Sequence, residues 1–213
     1  MTILLIDSGI ANIHSAAKAL ELWGAEVKIT DRWQDFSQAQ AVLLPGVGAF
    51  DPAMQALKQK DLLHPLQDWV AQGKPLLGIC LGMQLLFDRS AEGTEPGLGI
   101  IPGEIHRLPS IPPMPLPHMG WNQLEIHTNH YLWQNLPPLP WVYFVHSYYA
   151  EPADRSTISA TVNYGGFHPA VAVVKDNVMG LQFHPEKSAA SGLQILKNFV
   201  QSLSISPKEV SYV

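Results

Sequence analysis

The sequence predicts an α/β fold: an open, mostly parallel central sheet with helices on both faces and an antiparallel strand section at one side. Three observations predict it. Short unbroken apolar runs, such as Ile3-Leu4-Leu5-Ile6 and Leu76-Leu77-Gly78-Ile79, lack polar alternation, as strands buried on both faces do. Stretches with apolar residues at helical spacing lie between them, which is the βα alternation of a parallel sheet. In the second half the pattern changes to short strands separated by turn signals, as in antiparallel hairpins.

Taken in order, Ile3 to Ile6 is a buried strand bounded by Asp7-Ser8-Gly9. Ile13, Ala16, Ala17 and Leu20 then mark a helix that ends near Gly24. Val27 to Thr30 and Ala41 to Leu44 are further strands, the latter stopped by Pro45-Gly46. Helices are expected over Ala53 to Leu63 and Pro65 to Ala71, with Gly73 as the C′ residue of the second. Leu76 to Ile79 is a fourth strand, followed by a helical run from Met83 to Phe87. Residues 107–118 hold five prolines and form neither helix nor central strand. Trp141 to Val145, Thr157 to Asn163, Ala170 to Lys175 and Val178 to Phe183 are strands. Gly165-Gly166 and Asp176-Asn177 join the last three as hairpins. A final helix spans Leu193 to Leu203. One domain over residues 1–203 and a loose tail over 204–213 are expected.

Composition removes several function classes. The 213 residues carry 13 Lys+Arg against 18 Asp+Glu, a net charge of −5, so the counterion-release term that drives nucleic-acid binding is weak. With 46% hydrophobic and 15% charged residues, disorder is not the main state. The single cysteine, Cys80, leaves no intrachain disulfide and no multi-thiolate metal site, and no cofactor is expected. The longest apolar runs are too short for a signal peptide or a membrane span, so a cytoplasmic location without membrane association is expected.

The sharpest local pattern is Gly78-Ile79-Cys80-Leu81-Gly82, a nucleophile framed by glycines between a buried strand and a helix. Such a turn is so tight that side chains at the flanking positions collide. It strains and exposes the nucleophile, sets a helix N-terminus beside the thiolate, and places the Leu81 backbone N–H to bind an oxyanion. A free cysteine is most often a small buried hydrophobe, but the glycine frame favours the reactive reading. Among nine histidines, His184 stands out in Gln182-Phe183-His184-Pro185-Glu186, because it follows a strand. Pro185 favours an extended His184, and in an extended chain Glu186 faces the same way, supplying a base and its orienter. His127 and His130 lack partners for a metal set; His14, His64, His106, His118, His146 and His168 read as surface or structural. Gly46-Val47-Gly48 lacks the third glycine of a dinucleotide fingerprint. It reads better as a flexible loop beside the elbow, offering a backbone N–H to a tetrahedral intermediate.

Together these residues resemble the class I glutamine amidotransferases, whose glutaminase domains carry Cys in G-x-C-x-G and a late His-x-Glu. The resemblance runs from about Ile3 to Phe199. It also takes in Pro45-Gly46-Val47-Gly48-Ala49-Phe50, Gly97-Leu98-Gly99-Ile100-Ile101-Pro102-Gly103, Pro117-His118-Met119-Gly120-Trp121-Asn122 and Phe144-Val145-His146-Ser147-Tyr148. It implies a flavodoxin-like core and a triad of Cys80, His184 and Glu186. It further implies Gly48 and Leu81 at the oxyanion, and Gln84, Ser147 and Tyr148 at substrate glutamine.

Within the family the chain is most similar to glutaminase subunits of histidine biosynthesis. These pass ammonia to a (β/α)8-barrel cyclase subunit that makes imidazole glycerol phosphate and an aminoimidazole carboxamide ribotide. The implied partner-facing residues are Asn12, Trp121, Tyr143 and Lys187. Where the family often has Asp-Tyr-Gly-x-Gly-Asn, this chain has Asp7-Ser8-Gly9-Ile10-Ala11-Asn12. The alternatives are a glutaminase serving another ammonia-consuming synthase, a stand-alone cysteine amidohydrolase, and a binding protein that keeps only the fold.

Overall fold

In a computed structural model, residues 1–7, 9 and 13–204 are described. The amino-terminal half builds β1 (Thr2–Ile6), α1 (Ile13–Glu21), β2 (Glu26–Thr30), β3 (Ala41–Gly46), α2 (Phe50–Gln59), α3 (Leu63–Ala71), β4 (Leu76–Cys80) and α4 (Leu81–Gln84). Then come β5 (Arg89–Ser90), β6 (Gly103–Arg107), β7 (His118–Ile126), β8 (Trp141–His146), β9 (Tyr148–Pro152), β10 (Ile158–Val162), β11 (Ala170–Lys175), β12 (Val178–Leu181) and α5 (Ala189–Ser202). The main path of the sheet is β2-β1-β3-β4-β12-β11-β10-β7-β8, with β5, β6 and β9 branching beside β11. The first five strands are parallel, in the flavodoxin-like order. From β12 onward the main path is antiparallel, as the hairpin signals predict.

The unbroken apolar strands are buried on both faces because side chains alternate across the sheet. Ile3 and Leu5 of β1, Leu43 of β3 and Leu77 of β4 pack with α1 and α5 on one face. Leu4 and Ile6, Val42 and Leu44, and Leu76 pack with α2 and α3 on the other. Each such side chain contributes about 1.5–3 kcal/mol by leaving water.

Several boundaries differ from expectation. β3 runs through Pro45 and Gly46, which pair with Ile79 and Cys80 of β4. Pro45 is tolerated because β1 pairs with β3 only as far as Leu43, so its missing N–H breaks no ladder there. The helix expected from Met83 to Phe87 is instead the single turn α4, which starts directly after Cys80. Helix α2 begins at Phe50 and α5 at Ala189, both earlier than the apolar periodicity suggests. Gly73, at φ +74°, ends α3 as expected: its N–H bonds Val70 O at 2.9 Å and the Lys74 N–H bonds Trp69 O at 3.3 Å. Strands β5, β6, β7 and β9 have no counterpart among the expected elements. Ser8, Ala11, Asn12 and residues 205–213 of the tail lie outside the described residues. Among the described residues, no helix is long and apolar enough to cross a membrane.

Strand β12 joins the two halves, pairing antiparallel with β11 and parallel with β4 in the register Val178↔Leu76 to Leu181↔Ile79. The Asp176-Asn177 turn sets this register at the opposite end of the strands from Cys80. The Asn177 carbonyl accepts the Leu76 N–H at 3.1 Å, and its side-chain amide donates to Val70 O and Lys74 O.

The glycine frame of the elbow is a steric requirement. A Cβ on Gly82 would stand 1.8 Å from the Leu44 carbonyl oxygen, and one on Gly78 would stand 2.7 Å from the Gly82 oxygen. Gly82→Ala should therefore lose about 3 kcal/mol, since the clash is with backbone. Gly73→Ala, which meets only the left-handed backbone penalty in open space, should lose about 1 kcal/mol. Urea denaturation of the two variants checks this, and equal losses would refute the close approach.

Candidate active site

Cys80 ends β4 with φ 54° and ψ −113°, a conformation that costs a non-glycine residue roughly 1–3 kcal/mol. The strain persists because Gly78 and Gly82 let β4 and α4 close onto β3, fixing the bend from both sides. Contrary to the exposure expected of such a turn, Cys80 is only 6% exposed, because its bend packs into the core cluster beneath α1 and α5; it belongs to no disulfide. Helix α4 has only one turn, so the macrodipole expected to favour a thiolate is reduced to that of its first free N–H groups. The Leu81 N–H is the first of these and has no intrahelical acceptor.

Register brings the late histidine to the cysteine. Leu181 lies beside Ile79, so the chain just past β12 runs alongside Cys80. The His184 backbone is extended (φ −97°, ψ 96°), as Pro185 predicts, and its N–H bonds Tyr143 O at 3.0 Å. Glu186 reaches the imidazole by a different route from the one expected. Residues 185–187 form a 3₁₀ turn rather than an extended segment, and this turn folds the carboxylate back onto the ring. His184 Nδ1 and Glu186 Oε1 are 2.8 Å apart, with both side chains almost fully buried.

Burial alone would lower the pKa of His184. The Cys80 sulfur and the Glu186 carboxylate beside the ring outweigh it, and the pKa is pushed up to about 9. The site therefore favours an imidazolium held between a sulfur and a carboxylate. With Nδ1 on Glu186, Nε2 is the ring nitrogen left over; it is buried and has no hydrogen-bond partner among the described residues.

Two residues to which sequence patterns assign no role complete this geometry. Gln182 is fully buried; its Nε2 donates to Cys80 Sγ at 3.8 Å, and its Oε1 accepts from Gln84 Nε2 at 2.9 Å. Gln84, the last residue of α4, is thus tied through Gln182 to the sulfur. Ser188 clamps the turn, its hydroxyl donating to His184 O at 2.6 Å and accepting the Tyr143 N–H at 2.9 Å. The position of Gln182 two residues before His184 was the available signal, because i and i+2 share a strand face. Ser188 carried no comparable signal, because its partner Tyr143 is 45 residues away.

Gly48 sits in the three-residue loop between β3 and α2, exposed, at φ +91°. The pair Gly46↔Cys80 starts this loop directly across from the cysteine. A small void lined by Pro45, Gly46, Val47, His184 and Glu186 sets its first residues against the imidazole–carboxylate pair. The far end of the loop is pinned by Glu92, which accepts the Phe50 N–H at 2.9 Å. Asp51 pins it too, accepting from the Thr94 and Glu95 N–H groups.

Ser147 and Tyr148 lie where β8 turns into β9. Their carbonyls are both engaged, Ser147 O by the Leu108 N–H at 2.9 Å and Tyr148 O by His146 Nδ1 at 2.8 Å. Trp121 and Tyr143 face each other across β7 and β8, ring centroids 6.0 Å apart, with Trp121 49% exposed rather than in the core. Met119 and Trp141 are exposed on the same strand pair, and Lys187 is exposed on the turn after His184. Among the described residues, no three His, Cys, Asp or Glu side chains could hold a metal ion.

Comparison with known proteins agrees with this architecture. Residues 4–203 match the family model described as glutamine amidotransferase class-I. The chain is 55% identical over 204 residues to the imidazole glycerol phosphate synthase subunit HisH of Gloeothece citriformis, covering 95% of this chain and 97% of that one. It is 53% identical to the subunit of the same name from Trichormus variabilis, covering 94% and 96%. In fold it is similar to a solved glutamine amidotransferase (TM-score 0.73, 16% identity, 95% and 99% covered). Another, from Thermotoga maritima, gives TM-score 0.60 and 16% identity, with 98% and 87% covered. With a family model spanning nearly the whole described chain and relatives above half identity, the chain belongs to the class I glutamine amidotransferase family, in the group of imidazole glycerol phosphate synthase HisH subunits.

Proposed function

We propose that this chain hydrolyses the side-chain amide of glutamine to glutamate and ammonia at Cys80, as the glutaminase subunit of an imidazole glycerol phosphate synthase. The observation that carries this reading is the buried His184–Glu186 pair, 2.8 Å apart, set beside a cysteine on a strained glycine-framed bend. The Cys80 sulfur attacks the amide carbon, and the electron pair of the C=O bond moves to oxygen. The N–H groups of Leu81 and Gly48 hold that oxyanion. His184, protonated at neutral pH, gives its Nε2 proton to the nitrogen as the C–N bond breaks, so ammonia leaves and a glutamyl thioester remains. His184 then takes a proton from water, whose oxygen attacks the thioester, and glutamate departs as the sulfur is restored. Glu186 keeps the imidazole turned so that Nε2 faces the reaction. Gln84, Ser147 and Tyr148 seat the glutamine.

Ammonia in neutral water is mostly protonated and is then no nucleophile, so it must be handed on under cover. The recipient in this reading is a (β/α)8-barrel cyclase subunit making imidazole glycerol phosphate and the aminoimidazole carboxamide ribotide. It docks on the face that carries Trp121, Tyr143 and Lys187, with Asn12 as a further contact that the family resemblance implies. The exposed Trp121, packed on the half-buried Tyr143, is an aromatic of the kind that anchors protein interfaces.

Cys80→Ala should abolish glutamine-dependent synthesis by the complex and leave ammonium-dependent synthesis intact; loss of both would point to failed assembly. Glu186→Gln should lower kcat by about 10²-fold or more with little change in KM, as judged by steady-state glutamate release. The pH profile of kcat/KM should hold from neutral pH and fall above about 9, where His184 gives up the proton it must donate. Removing the Glu186 carboxylate takes away one of the groups that raises this pKa, so the alkaline limb should move to lower pH. A limb that stays in place would exclude Glu186 from tuning His184.

A further inference from the structure

The stretches around His118 and His146 carry Ser147, Tyr148 and the exposed Trp121, yet their two histidines are 5% exposed and paired in register across β7 and β8. They belong to a continuous hydrogen-bonded chain. Asn122 Nδ2 lies 3.0 Å from Asn163 O and 3.3 Å from His118 Nε2. His118 Nδ1 is 2.9 Å from His146 Nε2, and His146 Nδ1 is 2.8 Å from Tyr148 O. Phe144 and Tyr164 hold the His118 ring between them, at centroid distances of 4.6 and 5.0 Å.

The proton positions are dictated from the far end. Tyr148 O can only accept, so His146 Nδ1 carries hydrogen. A neutral imidazole has one N–H, so His146 Nε2 accepts and His118 Nδ1 donates. His118 Nε2 is then an acceptor for the Asn122 amide. That amide is oriented by its own Oδ1, which accepts the Gln123 N–H at 2.8 Å. Both rings stay neutral: burial lowers His118 to about 4 and His146 to about 3, the latter also feeling the charge of His184. A proton on either acceptor nitrogen would turn a donor–acceptor contact into two opposed N–H groups. Every link of the chain therefore has one direction, and it ends on the carbonyl of Tyr148.

We propose that His146, supported by His118 and Asn122, is a positioning residue that fixes the Ser147–Tyr148 backbone as the seat for the amino-acid end of glutamine. This rests on the reading of Ser147 and Tyr148 as substrate contacts. With the Leu108 N–H on Ser147 O and His146 on Tyr148 O, both carbonyls of the seat are held, and neither peptide plane is free to turn.

Nitrogen-15 spectra of the full chain labelled at histidine should show two neutral rings with hydrogen on Nδ1, the minor tautomer of histidine in water. Hydrogen on Nε2 of His146 would overturn the proposal, and this measurement needs no variant to fold. In complex with the cyclase partner, His146→Leu should raise the KM for glutamine about tenfold with kcat changed less than about threefold. His146→Asn places an amide N–H near the Nδ1 position and should recover most of that loss. An unchanged KM in His146→Leu, or equal damage in both variants, would sink the positioning role. Glutamine hydrolysis surviving in Cys80→Ala would instead sink the glutaminase reading itself.

Discussion

The pairing of β12 with β4 is the constraint on which the site depends. Two segments a hundred residues apart run parallel with Leu181 beside Ile79, so the residues just past each strand are brought to the same place. One strand ends in a strained cysteine, the other continues into Gln182 and His184. Side-chain periodicity in strands is two, so slipping this register by one residue would send Gln182 and His184 to the wrong faces. Steric closure of the elbow, the contact of Gln182 with the sulfur and the charge on His184 all presuppose that alignment.

The parallel half of the fold was legible because strands covered on both faces leave short unbroken apolar runs, here set between segments of helical spacing. The antiparallel margin was only partly so. β10, β11 and β12 announced themselves through Gly165-Gly166 and Asp176-Asn177. β7 escaped because Gly120, Asn122, Gln123 and Glu125 interrupt any alternation, and its burial is correspondingly uneven. β6 and β9 escaped for a similar reason: a five-residue strand carrying Glu104, His106 and Arg107 has a single fully buried residue, Ile105. Tertiary contacts, not local preference, decide such segments.

The site followed the same division. Cys80, His184 and Glu186 stand in short motifs whose chemistry is local, so residue type and spacing were enough to single them out. The His184–Glu186 contact was foreseen for a partly wrong reason, since a 3₁₀ turn rather than an extended chain folds the carboxylate back. Gln182, Ser188 and the His118–His146 pair owe their places to strand register and to partners tens of residues away. A linear pattern carries little trace of such partnerships.

The Asn177 side chain lies at the other end of the sheet from the chemistry. It fastens the β11–β12 hairpin to the exit of α3 and the entrance of β4. Alignment of Cys80 and His184 is therefore inherited from a corner at the far end of the sheet. Like the notch that sets a ruler's zero, that corner meters out how far along its neighbour the last strand travels before it delivers an imidazole.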